Sequence, residues 1–379
     1  MTGADTGNDR PEVRVGVVGY GMMGRAHSYG YRVAPMLYSL PVRPVVVAIS
    51  GRDATAVEAA ARAYEIPTWT TDWHAMIDDP TIDIVDICTP PGTHAEIAMA
   101  AAAAGKAILC EKPLTATYAD AVLAADSVTA SGVLNAVGFN YRRLPALALM
   151  QQMIQDGAVG DVLLWRANWM SDEFVDPAIP FDWRFEPAMG ATTIADLGSH
   201  LFDMALWMVG DVERVSAQSS TFTRQRSTPD GPRDVLVDEA SSALLRFSSG
   251  AAGTLEVGRT AVRRPCDMTV EVNGTHGTLV FDYARLNELR YGSDGEDPRL
   301  YGLRTIRAEH ASHPYAAHWW PIGQGVGYGA SFVNQVAELL ATWPDGPWGP
   351  DFEHGRRVQA ICEATERSAE QQAWVEVPQ

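Results

Sequence analysis

Val13-Arg14-Val15-Gly16-Val17-Val18-Gly19-Tyr20-Gly21-Met22-Met23-Gly24 is the stretch on which the fold turns. The run Val13 to Val18 is largely β-branched and reads as a buried strand. The glycines at 19, 21 and 24 follow it as a G-x-G-x-x-G turn that opens a helix. Gly19 permits the tight turn, Gly21 lets a pyrophosphate approach the backbone, and Gly24 lets helix and strand pack closely. The free N–H groups of the first helical turn, at Met22 and Met23, carry the positive end of the helix dipole and suit phosphate. A strand, this turn and a helix in that order predict a dinucleotide-binding unit.

The next strand, Pro44 to Ile49, ends in Ser50-Gly51-Arg52-Asp53. An NAD site commonly places a carboxylate at this strand end to hold the ribose 2′-hydroxyl. Here Ser50 and Arg52 suit a 2′-phosphate, which means NADP. Asp53 is either the carboxylate of an NAD site or the first turn of the next helix. The residues leave NAD and NADP both open. Tyr29 to Arg43 carries Pro35 and Pro41 and reads as a loop over the site. Helices are expected at Asp53–Tyr64 and Thr71–Ile77, and a strand at Asp83–Cys88. Thr89-Pro90-Pro91 then holds an extended loop that brings Thr89, Pro90 and His94 near the nicotinamide end. Thr93 with Glu96 forms a capping-box pattern for a helix to Ala104. Thr117 caps a helix to Ala130, and Leu134 to Phe139 is a further strand. This alternation through residues 11–140 predicts an α/β Rossmann domain with a doubly wound parallel sheet.

Within it, Ala107-Ile108-Leu109-Cys110-Glu111-Lys112-Pro113 is a short buried strand followed at once by a carboxylate, an amine and a rigid proline. The carboxyl end of a parallel strand is where open α/β sheets bind ligands. Glu111 and Lys112 are therefore candidates for the cofactor side and the chemistry.

After Asn140 the texture changes. A helix is expected from Pro145 to Gln155. Strand-like runs follow at Asp161–Trp169, Val212–Ser220, Glu239–Phe247, Ala251–Val257, Met268–Val272, Thr278–Phe281 and Glu288–Tyr291, several alternating apolar with polar residues. Asn273-Gly274 and His276-Gly277 are turn signals among them. The polar segment Thr223 to Asp234 reads as a mobile loop. Helices at Ser331–Trp343 and Phe352–Gln372 close the chain. Residues 141–379 are thus expected to form an α+β domain with a large, mainly antiparallel sheet, used for substrate binding and self-association.

Thr193-Ile194-Ala195-Asp196-Leu197-Gly198-Ser199-His200 opens a helix in that domain. Asp196 and His200 are four residues apart and share a helical face. An imidazole that titrates near neutrality beside a carboxylate is an acid–base pair. No third ligand stands at metal-binding spacing, so no metal site is expected.

A dinucleotide fingerprint, Glu-Lys-Pro after a later strand and Asp-x-x-x-His on a helix of the next domain together resemble the Gfo/Idh/MocA family of sugar and polyol oxidoreductases. The resemblance spans nearly the whole chain. It implies that Lys112, Asp196 and His200 line the active site, with His200 as general base and Lys112 donating to the reacting oxygen. Tyr141, Arg142 and Trp183 are further candidates for sugar contacts, and His318-Trp319-Trp320 offers rings for stacking. The loops Ser312–Tyr315, Trp320–Ile322 and Gly325–Gly329 and the ending Ala373–Gln379 are similar to an anhydrosugar-oxidising branch of the family. That branch uses NAD and oxidises a 3-hydroxyl, which favours NAD. Inositol dehydrogenases, glycoside 3-dehydrogenases and non-catalytic sugar or nucleotide sensors share the architecture.

Composition sets the bounds. The chain has 379 residues, 46% of them hydrophobic and 20% charged, the profile of a globular protein of two domains. A net charge of −18 repels nucleic acid and anionic membrane, so neither is an expected partner. Four scattered cysteines without a C-x-x-C pair point to a reduced compartment, and the cytoplasm is the expected location. Residues 1–10 lack the apolar core of a signal peptide and read as a disordered tail. A homodimer or homotetramer is the expected assembly.

Overall fold

The computed structural model describes residues 10–378, so the expected tail at 1–10 lies outside the described residues except for Arg10. The first half runs β1 (Glu12–Val18), α1 (Met22–Leu37), β2 (Arg43–Ser50), α2 (Ala54–Ala63), β3 (Thr68–Thr70), α3 (Trp73–Ile77), β4 (Ile84–Ile87), α4 (His94–Ala103), β5 (Ala107–Cys110), α5 (Tyr118–Ser131) and β6 (Asn135–Val137). Its six strands are all parallel, in the order β3-β2-β1-β4-β5-β6. Strand β1 pairs with β2 on one side and β4 on the other, so the strand order reverses there. The carboxyl ends of β1 and β4 flank the crevice where such sheets bind ligands.

The expected loop over Tyr29–Arg43 is instead the second half of α1, and only Tyr38–Val42 connects it to β2. Pro35 falls in the last turn of a 16-residue helix, where it removes one late backbone bond. The face His27, Gly30, Tyr31 and Ala34 is buried at helical spacing and carries the helix through. The expected capping box at Thr93 and Glu96 does not form. A 3-10 turn, Pro91–Thr93, leads directly into α4, and the Thr93 hydroxyl donates backward to Pro90 O and Thr89 Oγ1. Thr117 caps α5 as expected, accepting from Asp120 N.

The second half continues with α6 (Pro145–Gln155), β7 (Val162–Met170), α7 (Ser199–Met208), β8 (Val212–Ser220), β9 (Gln225–Thr228), β10 (Gly231–Asp234), β11 (Ala240–Phe247), β12 (Ala252–Gly258), β13 (Asp267–Gly274), β14 (Gly277–Asp282), β15 (Glu288–Ser293), β16 (Arg304–Arg307), α8 (Gly329–Ala341), α9 (Phe352–Gln371) and β17 (Val375–Glu376). Nine of its strands form one sheet, β16-β15-β14-β13-β7-β12-β11-β8-β17, antiparallel except for the β7–β12 pair. Alternation sets its inner face: Ala243, Leu245 and Phe247 of β11 and Leu255 and Val257 of β12 are buried beneath α6, α7 and α9. The last two helices reach back to the first half. Gly30 of α1 lies against the Phe332 carbonyl of α8, and Gly355 of α9 against Leu114 and Val137.

The expected mobile loop Thr223–Asp234 is a β9–β10 hairpin anchored by Arg226. Arg226 is fully buried, pairs with Glu239 at 3.3 Å and donates to the carbonyls of Phe174, Asp176 and Ile179. A polar segment is thus pinned from within by a charge whose carbonyl partners lie far off in sequence. No helix among the described residues is long and apolar enough to cross a membrane.

Candidate active site

The phosphate turn is built by packing. Gly19 has φ +114°, and a side chain there would come within 2.5 Å of the Cys88 carbonyl. A side chain at Gly24 would overlap the Gly19 carbonyl. Gly21 differs: nothing stands within 4 Å of where its Cβ would be. It is the N-cap of α1, no side chain caps that helix, and its first turn holds no acidic residue. The first-turn N–H groups are thus left without a side-chain cap, and Met22 is exposed. This cradle fits a pyrophosphate.

At the end of β2, Ser50 is buried and its carbonyl accepts from Gly19 N. The Tyr20 ring covers Gly51, where any side chain would strike it. Arg52 is exposed and makes no hydrogen bond or ion pair among the described residues. Asp53 is the N-cap of α2, accepting from Ala56 N. Ser50, buried by the turn it supports, offers a ligand little beyond backbone.

Thr89 and Pro90 do end β4 beside β1, as expected. His94 is different. It is fully buried, its ring nitrogens 2.7 Å from Thr89 O and 3.0 Å from Pro113 O. It ties two strand-end loops together and has no exposed surface for a cofactor. Glu111 also points inward, one oxygen on His27 at 2.8 Å and the other accepting from Lys112 N.

Lys112 and Asp196 meet across the two halves. Lys112 Nζ donates to Asp196 Oδ1 at 2.9 Å and to its backbone carbonyl at 2.8 Å. Asp196 sits in a π-helical turn, Ile194–Gly198, just before α7. Burial would raise its carboxyl, but Lys112 and Arg259 outweigh burial and hold it at about 2. Arg259, fully buried at the end of β12, stands 3.8 Å from Asp196 Oδ2. Its Nε and Nη1, the latter the nitrogen nearest Asp196, have no hydrogen-bond partner among the described residues. Glu173 stands nearby: burial first, then the charge of Asp196, push its carboxyl up.

His200 lies on the first turn of α7, nearly buried, with its ring edge-on to Tyr141 at 4.7 Å and tilted on Trp169 at 5.4 Å. Burial, then the Lys112 charge, lower its pKa well below the ordinary histidine value. Its Nδ1 makes no hydrogen bond among the described residues. Asp196 makes no hydrogen bond to His200; it is spent on Lys112. The imidazole is therefore neutral at physiological pH and held by aromatic walls.

Three expected sugar contacts separate. Tyr141 is buried and forms one of those walls. Arg142 is locked to Asp203, Nε lying 2.9 Å from both carboxylate oxygens, and to His354 at 2.7 Å, so it braces α7. Trp183 is partly exposed, stacked under Arg184 at 4.7 Å, and Arg184 reaches Glu173 at 3.5 Å. Only Trp183 keeps a face for a ligand. His318 stacks on Tyr38 and Trp319 Nε1 bonds Asn334. Tyr38 follows the carboxyl end of α1, so this group lies a helix length from the phosphate turn. Arg259 and Glu173 escaped the sequence reading. The one available signal was a charged residue directly after the alternating strand β12.

A glycine cradle that fits a dinucleotide, and an amine whose charge acts on a buried imidazole of the other half, are features of a nicotinamide-dependent oxidoreductase. Residues 13–139 match the NAD-binding Rossmann fold of the oxidoreductase family, and residues 147–280 match the GFO/IDH/MocA C-terminal domain. The chain belongs to the Gfo/Idh/MocA family. It is 38% identical to levoglucosan dehydrogenase of Pseudarthrobacter phenanthrenivorans, covering 97% of this chain and 98% of that one. It is 29% identical to D-apiose dehydrogenase of Paraburkholderia graminis, over 95% and 88% of the two chains. A levoglucosan dehydrogenase solved with NADH and levoglucosan shares its fold at TM-score 0.94 and 37% identity, over 97% of this chain and 100% of that one.

Proposed function

We propose that this protein oxidises a secondary hydroxyl of a cyclic sugar to a ketone, with an anhydrosugar such as levoglucosan as substrate and its 3-hydroxyl as the reacting group. Bound NAD supplies the acceptor for the hydride leaving that carbon. Lys112 donates to the reacting oxygen and stabilises its developing negative charge. His200, neutral at working pH, takes the hydroxyl proton. Asp196 holds the lysine in place, with Arg259 behind it, and Trp183 offers a ring face to the sugar. The observation that carries this reading is the Lys112–Asp196 contact at 2.8 and 2.9 Å, which sets an amine from one domain beside the helix of His200 in the other. The likeness to levoglucosan dehydrogenase supports the choice of sugar. NAD is preferred over NADP, with Arg52 the residue that would grip a 2′-phosphate.

Self-association through the outer face of the nine-stranded sheet, where Leu164 and Leu244 are exposed, would give the dimer or tetramer. A hollow of about 570 Å³ on that face, lined in part by Arg166, Ser216, Leu244 and Glu256, contains none of the site residues.

The test is a panel of levoglucosan, inositols, hexoses and glycosides with NAD and with NADP, read at the reduced-cofactor absorbance. Levoglucosan with NAD should turn over best, and Lys112→Ala and His200→Ala should each abolish that rate while NADH still binds. A better rate on an inositol, or release of an aglycone from a glycoside, would reassign the substrate. Near wild-type rates in either variant would remove the assigned roles.

A further inference from the structure

His27 lies on α1, two turns from the phosphate cradle, and plays no part in the chemistry above. It is 1% exposed and sits between two buried carboxylates. Its Nδ1 is 2.9 Å from both oxygens of Asp86 on β4, and its Nε2 is 2.8 Å from Glu111 Oε1 after β5. An ionised carboxylate only accepts, so each ring nitrogen facing one must carry a proton. With both carboxylates ionised, the ring is an imidazolium. The second oxygen of Glu111 accepts from the backbone N–H of Lys112 at 3.1 Å. One chain of contacts thus runs from the cofactor helix, through His27 and Glu111, to the backbone of the lysine.

We propose that His27 is the positioning residue for Lys112: a buried imidazolium that fixes Glu111, and through it the Glu-Lys-Pro loop, relative to the helix that receives the cofactor phosphates. This rests on the reading of Lys112 as the group acting at the substrate oxygen. Other groups face the network from every side. The Cys88 thiol donates to Asp86 Oδ1 at 3.3 Å, and Tyr31 bonds the same carboxylate. Tyr328, the N-cap of α8, adjoins Glu111, and the Phe332 ring is 5.4 Å from His27. None of these is a cation, so the charge is met by Asp86 and Glu111 alone. Burial opposes the charge, yet the Asp86 carboxylate prevails and raises the His27 pKa well above the ordinary value. A buried carboxylate without a cation is costly, so this geometry favours the charged ring.

The arrangement separates positioning from binding. The cradle is made of glycine backbone, so loss of His27 should leave cofactor affinity nearly intact while Lys112 loses its register. The experiment takes the full-length protein labelled with 15N-histidine, assigning His27 by the signal missing from His27→Gln. At about pH 8, where a free imidazole is neutral, both His27 nitrogens should resonate as protonated. In His27→Gln and in Glu111→Gln, kcat on the best sugar should fall about 10- to 100-fold, as for a lost charged hydrogen bond. NADH Kd should stay within about threefold, since the phosphate contacts are untouched.

A neutral imidazole at that pH would overturn the proposal, as would an unchanged kcat in either folded variant. Cofactor affinity and kcat falling together would also overturn it, because that pattern marks general damage. If His27→Gln does not fold, Glu111→Gln decides the matter through its kcat and its NADH Kd. The spectrum and the NADH titration need no sugar, so an error in the substrate leaves both readable. An error in the role of Lys112 has its own mark: Lys112→Ala would keep its rate while His27→Gln lost it.

Discussion

Replacing Asp196 with asparagine tests the seam between the domains. The side chain keeps its shape, and its carbonyl still accepts from Lys112, as does the backbone oxygen at 2.8 Å. What disappears is one negative charge facing two cations, Lys112 at 2.9 Å and the buried Arg259 at 3.8 Å. A hydrogen bond to a charged group is worth about 1.5–3 kcal/mol. With about 1.4 kcal/mol per tenfold in rate, kcat/KM should fall about 10- to 100-fold. The stability loss is smaller. A carboxyl held at about 2 rather than 3.8 corresponds to at most about 2–3 kcal/mol. The Asp196 side chain is 34% exposed, so solvent screening reduces that to about 1 kcal/mol.

The sign of the pH dependence follows from the direction of the shift. A carboxyl depressed in the folded state stabilises the fold above its unfolded pKa. It loses that contribution as pH falls through the folded value. Melting curves of wild type and Asp196→Asn should therefore differ by a few degrees at neutral pH and converge as pH drops from about 4 toward about 2. Initial rates at the reduced-cofactor absorbance and thermal melts across pH provide both readouts. A variant within threefold of wild-type kcat/KM would refute the reasoning, as would a melting gap that widens in acid.

Two further outcomes follow. Because burial and the Lys112 charge push the His200 pKa well below its ordinary value, the base form persists in mild acid, and kcat/KM should show no histidine limb near 6.5; an acid limb there, absent from a residually active His200→Gln, would contradict the assignment. Gly21→Val places a side chain in space the fold leaves open, so the melting temperature should shift by only a few degrees while NADH Kd rises about 100-fold or more; unchanged affinity by fluorescence titration would move the phosphate site elsewhere.

Local rules reached some features and missed others for identifiable reasons. The glycine turn, the helix over Pro145–Gln155 and strand β8 were legible because a short stretch contains its own cause. The places of Lys112 after a strand and of Asp196 at the start of a helical stretch were legible because local pattern marks both. Pro35 misled because a proline near a helix end resembles one that breaks it. Strands β3, β16 and β17, of three, four and two residues, take their pairing from neighbours and have no pattern of their own. The segment that carries Arg226, and Arg142 itself, were misjudged alike. Each charge is buried against partners far away in sequence: the carbonyls of Phe174, Asp176 and Ile179 for one, and Asp203 and His354 for the other. His27, Arg259 and Glu173 acquire a role only when three elements converge.

The seam explains why the fold needs two domains for one small reaction. Lys112 is held from below by Glu111, which belongs to the network on the cofactor helix. Asp196 is held by a different set. Thr192 accepts from Ala195 N and donates to Glu366 on α9, and Thr193 is tied to Asp238 through both its backbone N–H and its hydroxyl. Burial pushes the Glu366 carboxyl up to about 7, so that brace is partly uncharged at neutral pH and costs little to bury. Lys112 and Asp196 are thus each braced within their own half, and the hydrogen bonds at 2.8 and 2.9 Å join them. A displacement of about 1 Å at that contact would separate amine, imidazole and hydroxyl enough to cost about 100-fold in rate. The covering helices α8 and α9 prevent it by packing against the first domain while belonging in sequence to the second.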